Sequence, residues 1–171
     1  GAKDRVLSQK ELRALGKALD AAIECSPLAA GALRLIALTG LRRAEAYALR
    51  WREIDWEGCC LRLETSKTGR STRPLGAAAR EHLRGLLRFN EEWVFPSRDG
   101  RRPADLKKAI ATIFDAAGLT DARGHDLRRT FATLADELGY GDATVGELLG
   151  HAKRGVTQRH YVRRPDWVLV E

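Results

Sequence analysis

The chain has 171 residues, of which 44% are hydrophobic and 31% charged, with a formal net charge of +7. This balance is typical of a single soluble globular domain rather than a disordered chain. No stretch approaches the roughly 20 apolar residues that span a bilayer, and residues 1–4 contain no apolar signal core, so we expect a cytoplasmic protein without membrane association. The excess of positive charge fits an acidic polymer as partner, most simply nucleic acid, and fits a soluble basic protein without such a partner equally well.

The cysteines give no sign of a disulfide framework or a metal site. There are three of them, Cys25, Cys59 and Cys60, and the last two are adjacent. An odd, partly adjacent set favours a reducing compartment. No Cys/His pattern has the spacing of a zinc site, and no GxxxxGK[ST] loop is present to bind a nucleotide. We therefore expect neither a metal nor another cofactor.

Hydrophobic periodicity predicts a mostly helical domain with one small antiparallel sheet, which is an α+β fold. The first helix has a capping-box pattern, Ser8 to Glu11, and the second begins at Pro27 and is ended by Gly40. The predicted helices cover residues 9–24, 27–39, 43–50, 77–89, 104–117, 126–138 and 142–149, with a last turn or two at 156–162.

The pattern between residues 59 and 75 is that of strands. Residues 59–65 and 72–75 are separated by a Lys-Thr-Gly-Arg segment at 67–70, which is typical of a hairpin turn. These two strands are expected to form the small sheet.

Two pairs of residues could build an anion site at helix N-termini. Gly40 permits a sharp turn that would place Arg42 at the start of the third helix, where free N–H groups already attract anions. Glu45, three residues on, can hold the Arg42 side chain. His125 and Arg128 are also three apart at a helix start, so both can face one anion, while Asp126 can cap that helix. By themselves, the two pairs are more simply explained as a surface ion pair beside a helix break and as part of a capped surface helix.

Three further residues are suitable for chemistry on a phosphate. Lys67 lies in the predicted turn and can reach a phosphate or a departing oxygen. His151 follows Gly150, which is predicted to end the preceding helix, and Tyr161 carries a hydroxyl. Each alone is more simply explained as an exposed turn residue, a cap or a packing residue.

Taken together and in order, these residues resemble the active-site signature of the tyrosine recombinases, or phage integrases. The set is Arg42, Lys67, His125, Arg128, His151 and Tyr161. The surrounding sequence segments also resemble those of the family, namely TGLRRAE at 39–45, HDLRRTFAT at 125–133 and ELLGH at 147–151. The resemblance covers nearly the whole chain from Leu7 onward and implies the catalytic-domain fold of that family.

The resemblance implies a mechanism in which the Tyr161 hydroxyl attacks a DNA phosphodiester and forms a 3′-phosphotyrosyl link. A phenol with a pKa near 10 needs help to react at neutral pH, and His125 is the candidate to accept its proton. Arg42 and Arg128 would clamp the non-bridging oxygens, with a further hydrogen bond from His151. Lys67 is the candidate general acid for the leaving 5′-oxygen.

By the same resemblance, the partner is double-stranded DNA, on which the protein is expected to form a homo-oligomer, a tetramer, and to be a monomer without DNA. The catalytic domain is assigned to residues 3–165 and a C-terminal tail to 166–171. By the resemblance, we expect the N-terminal DNA-clamping domain usual in the family to be absent from this chain. The apolar tail segment 167–170 is expected to dock on a neighbouring protomer or to fold back on its own core.

The sequence departs from the family in the position of its tyrosine. Tyr161 lies one residue farther from His151 than is usual, and the segment 153–156 can absorb the extra residue. Phosphate contacts are also expected from several other basic side chains, namely Arg62, Arg70, Arg73, Lys107 and Lys108.

Two other functions fit the same residues. A type IB topoisomerase would relax supercoils without any specific site. The His-Asp-Leu-Arg and Leu-Gly-His motifs, however, are closer to those of integrases. A DNA-binding accessory protein with an inactive recombinase fold would form no covalent adduct, and the full set of six residues argues against it.

Overall fold

The computed structural model describes residues 5–151, which form seven α-helices and one three-stranded antiparallel sheet. The α+β class predicted from the sequence is confirmed. Within that range, none of the helices combines the length and apolar character needed to cross a bilayer. In chain order the elements are α1 (Gln9–Ala22), α2 (Pro27–Thr39), α3 (Arg43–Tyr47), β1 (Ile54–Asp55), β2 (Cys60–Leu63), β3 (Ser71–Pro74), α4 (Ala77–Gly85), α5 (Lys107–Ala116), α6 (Gly124–Glu137) and α7 (Asp142–Leu149).

Helix α2 is the centre of the core. It packs against α1, α3, α4, α5 and α6, and its residues Leu33, Leu35 and Ile36 are completely buried. An almost entirely apolar helix is stable in water only when other elements cover it on most sides. This central position brings the end of α2 and the start of α6 into one region of the fold.

The sheet has the strand order β1-β2-β3, with antiparallel pairing throughout. In its longer ladder Leu61 pairs with Arg73 and Leu63 with Ser71. The hairpin predicted at 67–70 is confirmed, and β3 also packs against α7. Strand β1 was missed by the sequence analysis because it is only two residues long, too short to show an alternating pattern.

Most predicted helix bounds agree with the structure to within a few residues, and α2 and α7 match their predicted ranges. The third helix is shorter than predicted because residues 49–51 pair with 92–94, where Val94 donates to the carbonyl of Leu49 at 3.0 Å. Helix α5 begins three residues later than predicted, because the backbone N–H of Ala104 donates to the carbonyl of Phe95 at 2.8 Å and the chain is not yet helical there. Both corrections come from long-range backbone pairing.

The last predicted helical turn, 156–162, and the tail segment 166–171 lie outside the described residues. Tyr161 is among them, whereas the other five candidate site residues lie within residues 5–151.

Candidate phosphate-binding site

The candidate site is built at the end of α2, where Gly40 turns the chain. Gly40 has a φ of 70°, a left-handed conformation that favours glycine. The surroundings also require a glycine here, because a Cβ at Gly40 would come within 2.6 Å of Phe131 and 2.8 Å of Leu149. The tight turn brings α3 to the site, and Arg42 lies directly before its first residue, as predicted.

Arg42 is held at the start of α3 by Glu45. The Glu45 carboxylate accepts a 2.9 Å hydrogen bond from the backbone N–H of Arg42. It also accepts a 3.1 Å hydrogen bond from the Nη1 of Arg42, with which it forms an ion pair. The side chain of Arg42 keeps 24% of its surface exposed, whereas that of Glu45 keeps only 3%. The predicted Arg42–Glu45 pair is therefore present, with the carboxylate inside and the guanidinium at the surface.

Arg128, on the second turn of α6, is buried beside this turn. Its Nη1 donates to the carbonyl of Gly40 at 2.7 Å and its Nη2 to the carbonyl of Leu149 at 3.0 Å. One side chain thus joins the last residues of α2 and α7. Burial lowers the pKa of Arg128 to about 10, and the neighbouring cations Arg42 and Arg73 contribute to that shift. Clustered guanidinium groups of this kind form a strongly positive site for an anion.

His125 lies one turn before Arg128, in the first turn of α6, with its side chain exposed. Helix α6 starts at Gly124, and Asp126 caps it by accepting a 2.8 Å hydrogen bond from the backbone N–H of Arg123. Although the side chain is exposed, partial desolvation by the surrounding protein lowers the pKa of His125, and the nearby cations Arg129 and Arg128 lower it further. This shift favours the neutral imidazole, which is the form that can accept a proton.

The turn that carries Lys67 meets the segment that carries His151. Thr68 donates a hydrogen bond to the carbonyl of Gly150 at 3.4 Å. Gly150 ends α7 with a φ of 69°, and the backbone N–H of His151 then donates to the carbonyl of Gly146 at 2.8 Å. Both Lys67 and His151 are exposed at this junction.

The prediction that Arg73 contacts DNA phosphates is wrong, because this side chain is buried. Only 1% of its surface is exposed, and it forms an ion pair with Glu45 at 2.7 Å. The signal was present in the strand pattern, because Leu75 faces the core and a residue two positions earlier shares that face. Arg62, also predicted to contact phosphates, is half exposed and is paired with Asp55 at 2.9 Å.

Five candidate residues therefore lie where α2, α3, α6, α7 and the β2–β3 turn meet. The charges of Arg42, Arg128 and His125 act on one another, and the Lys67 turn and His151 segment are joined beside them. A separate apolar groove of about 1040 Å³ runs between α1, α2 and α4, and none of these five residues lines it. Among residues 5–151, no cluster of three His, Cys, Asp or Glu side chains is arranged to hold a metal ion.

Comparison with known proteins finds relatives for nearly the whole chain. The model of the phage integrase family matches residues 5–166. The prophage integrase IntF of Escherichia coli (strain K12) is 30% identical over 147 residues, which cover 82% of this chain and 32% of the relative. The chain thus spans about a third of the length of this curated relative.

Two solved structures share the fold. The XerH site-specific recombinase bound to its difH substrate in a pre-cleavage complex is 25% identical, with a TM-score of 0.64, over 92% of this chain and 52% of that chain. The lambda integrase catalytic core is 23% identical, with a TM-score of 0.64, over 90% of this chain and 96% of that chain. The second match shows that the described fold corresponds to nearly all of a catalytic core.

Proposed function

The chain belongs to the phage integrase family, and on that premise we propose that it is the catalytic domain of a site-specific recombinase that cleaves and rejoins DNA through a 3′-phosphotyrosyl intermediate. The domain is assigned to residues 3–165. The observation that carries the proposal is the convergence of Arg42, Arg128 and His125 beside the joined Lys67 and His151 segments.

Arg42 at the surface and Arg128 beneath it have the chemistry to bind a phosphodiester. A guanidinium has five N–H donors, of which Arg128 uses two on backbone carbonyls and Arg42 one on Glu45. Each therefore has capacity for a further acceptor. Because these groups are fixed before substrate arrives, they stabilise the charge that develops on the non-bridging oxygens at little reorganisation cost.

In the proposed cleavage step, the Tyr161 oxygen forms a bond to phosphorus as the bond between phosphorus and the 5′-oxygen breaks. The phenolic proton passes to His125, whose lowered pKa leaves it neutral and able to accept. Lys67 gives a proton to the departing 5′-oxygen, and His151 donates a hydrogen bond to a non-bridging oxygen. One phosphate ester replaces another, so the reverse reaction with a different 5′-hydroxyl joins new strands without ATP.

Double-stranded DNA is the proposed substrate and partner. The formal charge of +7 supports it, as does the similarity to XerH, whose solved structure contains its difH substrate. We expect a tetramer on DNA and a monomer without it, which light scattering with and without a DNA site would measure.

The test is a covalent trap. Full-length protein is incubated with a nicked substrate from which the 5′ fragment diffuses away after cleavage, and adducts that resist SDS are counted. We expect wild type to accumulate the adduct and Tyr161→Phe to form none. Tyr140→Phe is the matched control, because Tyr140 is another of the three tyrosines and lies in the connection between α6 and α7.

Three outcomes would contradict the proposal. Equal adduct formation by wild type and Tyr161→Phe would assign the nucleophile elsewhere. DNA binding without any adduct would favour an inactive accessory protein, and relaxation of supercoils without a specific site would favour a topoisomerase.

A further inference from the structure

Arg73 is a buried cation with no direct access to a substrate. Its Nη2 and Nη1 donate to the two carboxylate oxygens of Glu45, at 2.7 and 3.2 Å, and its Nε donates to the hydroxyl of Ser71 at 2.8 Å. Burial lowers the pKa of Arg73, and Glu45 offsets part of that shift. The two-pronged geometry is one that arginine forms and lysine cannot.

Glu45 links Arg73 to Arg42. Its two oxygens, both bound by Arg73, also accept hydrogen bonds from the backbone and the guanidinium of Arg42. Burial raises the pKa of Glu45, but hydrogen bonds from Arg73 and Arg42 outweigh burial and hold the pKa below its ordinary 4.5. The carboxylate therefore stays ionised between the two arginines and fixes one relative to the other.

Arg73 also contacts the chain directly before His151. A Cβ added to Gly150 would overlap the Nε, Cζ and Nη2 atoms of Arg73, so the guanidinium lies against the backbone of Gly150. Gly150 is thus required to be a glycine both by its φ of 69° and by this contact. One buried side chain sets the position of two elements of the candidate site.

Fold stability alone does not account for such an arrangement. Replacing a buried ion pair by apolar side chains of similar volume is often neutral or stabilising, because taking two charges out of water is costly. Here the pair lies between Arg42 and Gly150, and both of its charges act on Arg128, whose pKa is lowered by Arg73 and raised by Glu45. The location indicates a role in the site.

We propose that Arg73 is a positioning residue for DNA cleavage, which orients Arg42 through Glu45 and supports the Gly150–His151 turn. This inference rests on the proposed function, since it assumes that Arg42 binds the scissile phosphate. Arg73 itself touches neither the substrate nor the reacting atoms.

The decisive variant is Arg73→Lys, which retains the charge but loses the two-pronged contact. We expect single-turnover cleavage at saturating DNA to fall roughly 100-fold, as when a reacting group is misplaced by about 1 Å. DNA affinity should change less than about threefold, because phosphate contacts elsewhere supply most of the binding. Arg34→Lys is the matched control, since Arg34 makes one exposed ion pair with Asp20. We expect this variant to cleave DNA at the wild-type rate.

A double-mutant comparison separates positioning from general damage. If Arg73 acts mainly through Arg42, adding Arg73→Lys to Arg42→Ala should slow cleavage by less than about threefold more, because residues that share one interaction are not additive. A further loss of about 100-fold in that background would overturn the inference, as would wild-type cleavage by Arg73→Lys alone.

If Arg73→Lys fails to unfold cooperatively, the charge-free pair Glu45→Gln with Arg73→Gln replaces it. This variant leaves no unpaired buried charge at either position, yet Arg42 loses its carboxylate, so cleavage should again fall roughly 100-fold. Wild-type cleavage by the pair would refute the inference. Absence of any adduct from wild type would reject the proposed function together with the inference, whereas loss of adduct in Arg42→Ala but not in Arg73→Lys would reject the inference alone.

Discussion

Arg128 donates a 2.7 Å hydrogen bond to the carbonyl of Gly40, a residue 88 positions earlier in the chain. The same guanidinium reaches the carbonyl of Leu149. These contacts close the ends of α2 and α7 around a buried cation. The arginine therefore has two roles, since it holds the fold at the point where it is proposed to bind the phosphate.

Replacing Arg128 by lysine should affect both roles. One ammonium cannot reproduce both contacts, so we expect the free energy of unfolding to fall by about 1–3 kcal/mol through an unsatisfied buried carbonyl. Single-turnover cleavage should fall by about 100- to 1000-fold. Urea unfolding and the covalent trap measure the two effects. For the unfolding measurement, Arg123→Lys at an exposed position one turn earlier should change stability by less than about 0.5 kcal/mol.

Gly40→Ala should destabilise the domain. The left-handed backbone alone costs about 1–3 kcal/mol for a residue with a side chain, and the new methyl group would clash with Phe131 and Leu149. Gly16→Ala in α1 is the matched control, because a Cβ there meets nothing within 4 Å and alanine favours a helix. Urea unfolding should move the two variants in opposite directions, and a stable Gly40→Ala domain would contradict the described turn.

The cleavage rate should depend on pH through His125. Its pKa is lowered from the ordinary 6.5, so the proton-accepting neutral form predominates at pH 7 and is lost as the pH falls through the lowered value. We expect a rate that is level near neutrality and declines on the acid side with a midpoint below 6.5.

Removing one cation tests the cause of that shift. Because Arg129 lowers the pKa of His125, Arg129→Gln should move the acid midpoint towards 6.5. An NMR titration of the imidazole would measure the same change without DNA. A midpoint above 6.5 in wild type, or one that Arg129→Gln moves downward, would contradict the assigned environment.

Lys67→Ala should slow cleavage by about 100- to 10,000-fold if Lys67 protonates the departing 5′-oxygen. A substrate with sulfur at that bridging position should restore most of the rate, because a thiolate, whose conjugate acid has a pKa near 8.5, leaves without a proton. Thr68→Val removes the hydroxyl that bonds to Gly150 and lies 3.4 Å from the hydroxyl of Ser66, but it leaves Lys67 in place and should cost far less. Equal losses on the oxygen and sulfur substrates would exclude Lys67 as the acid.

Local patterns in the sequence predicted the seven helices and the β2–β3 hairpin, and the resemblance to the tyrosine recombinases supplied the list of candidate residues. Pro27 and Gly40 delimit α2, and Ser8 and Glu11 form the predicted capping box at α1. Such signals lie within one helical turn of the residues that they control, so they can be read without knowing the rest of the fold. The placement of Arg42 directly before α3 follows from the same kind of signal.

The partners of those residues depend on the tertiary structure. The sequence suggested that Arg73 faces DNA, whereas the packing of β3 against α7 buries it on Glu45 and Gly150. The contacts of Arg128 join α6 to Leu149, 21 residues later, and to Gly40, 88 residues earlier, and no local pattern encodes such a pairing. The sequence by itself therefore determined which side chains are available for phosphate chemistry, because helix caps and turns are local. Only the tertiary structure decided which of these cations face outward and which are buried and hold the others in place. That choice depends on contacts between segments far apart in sequence.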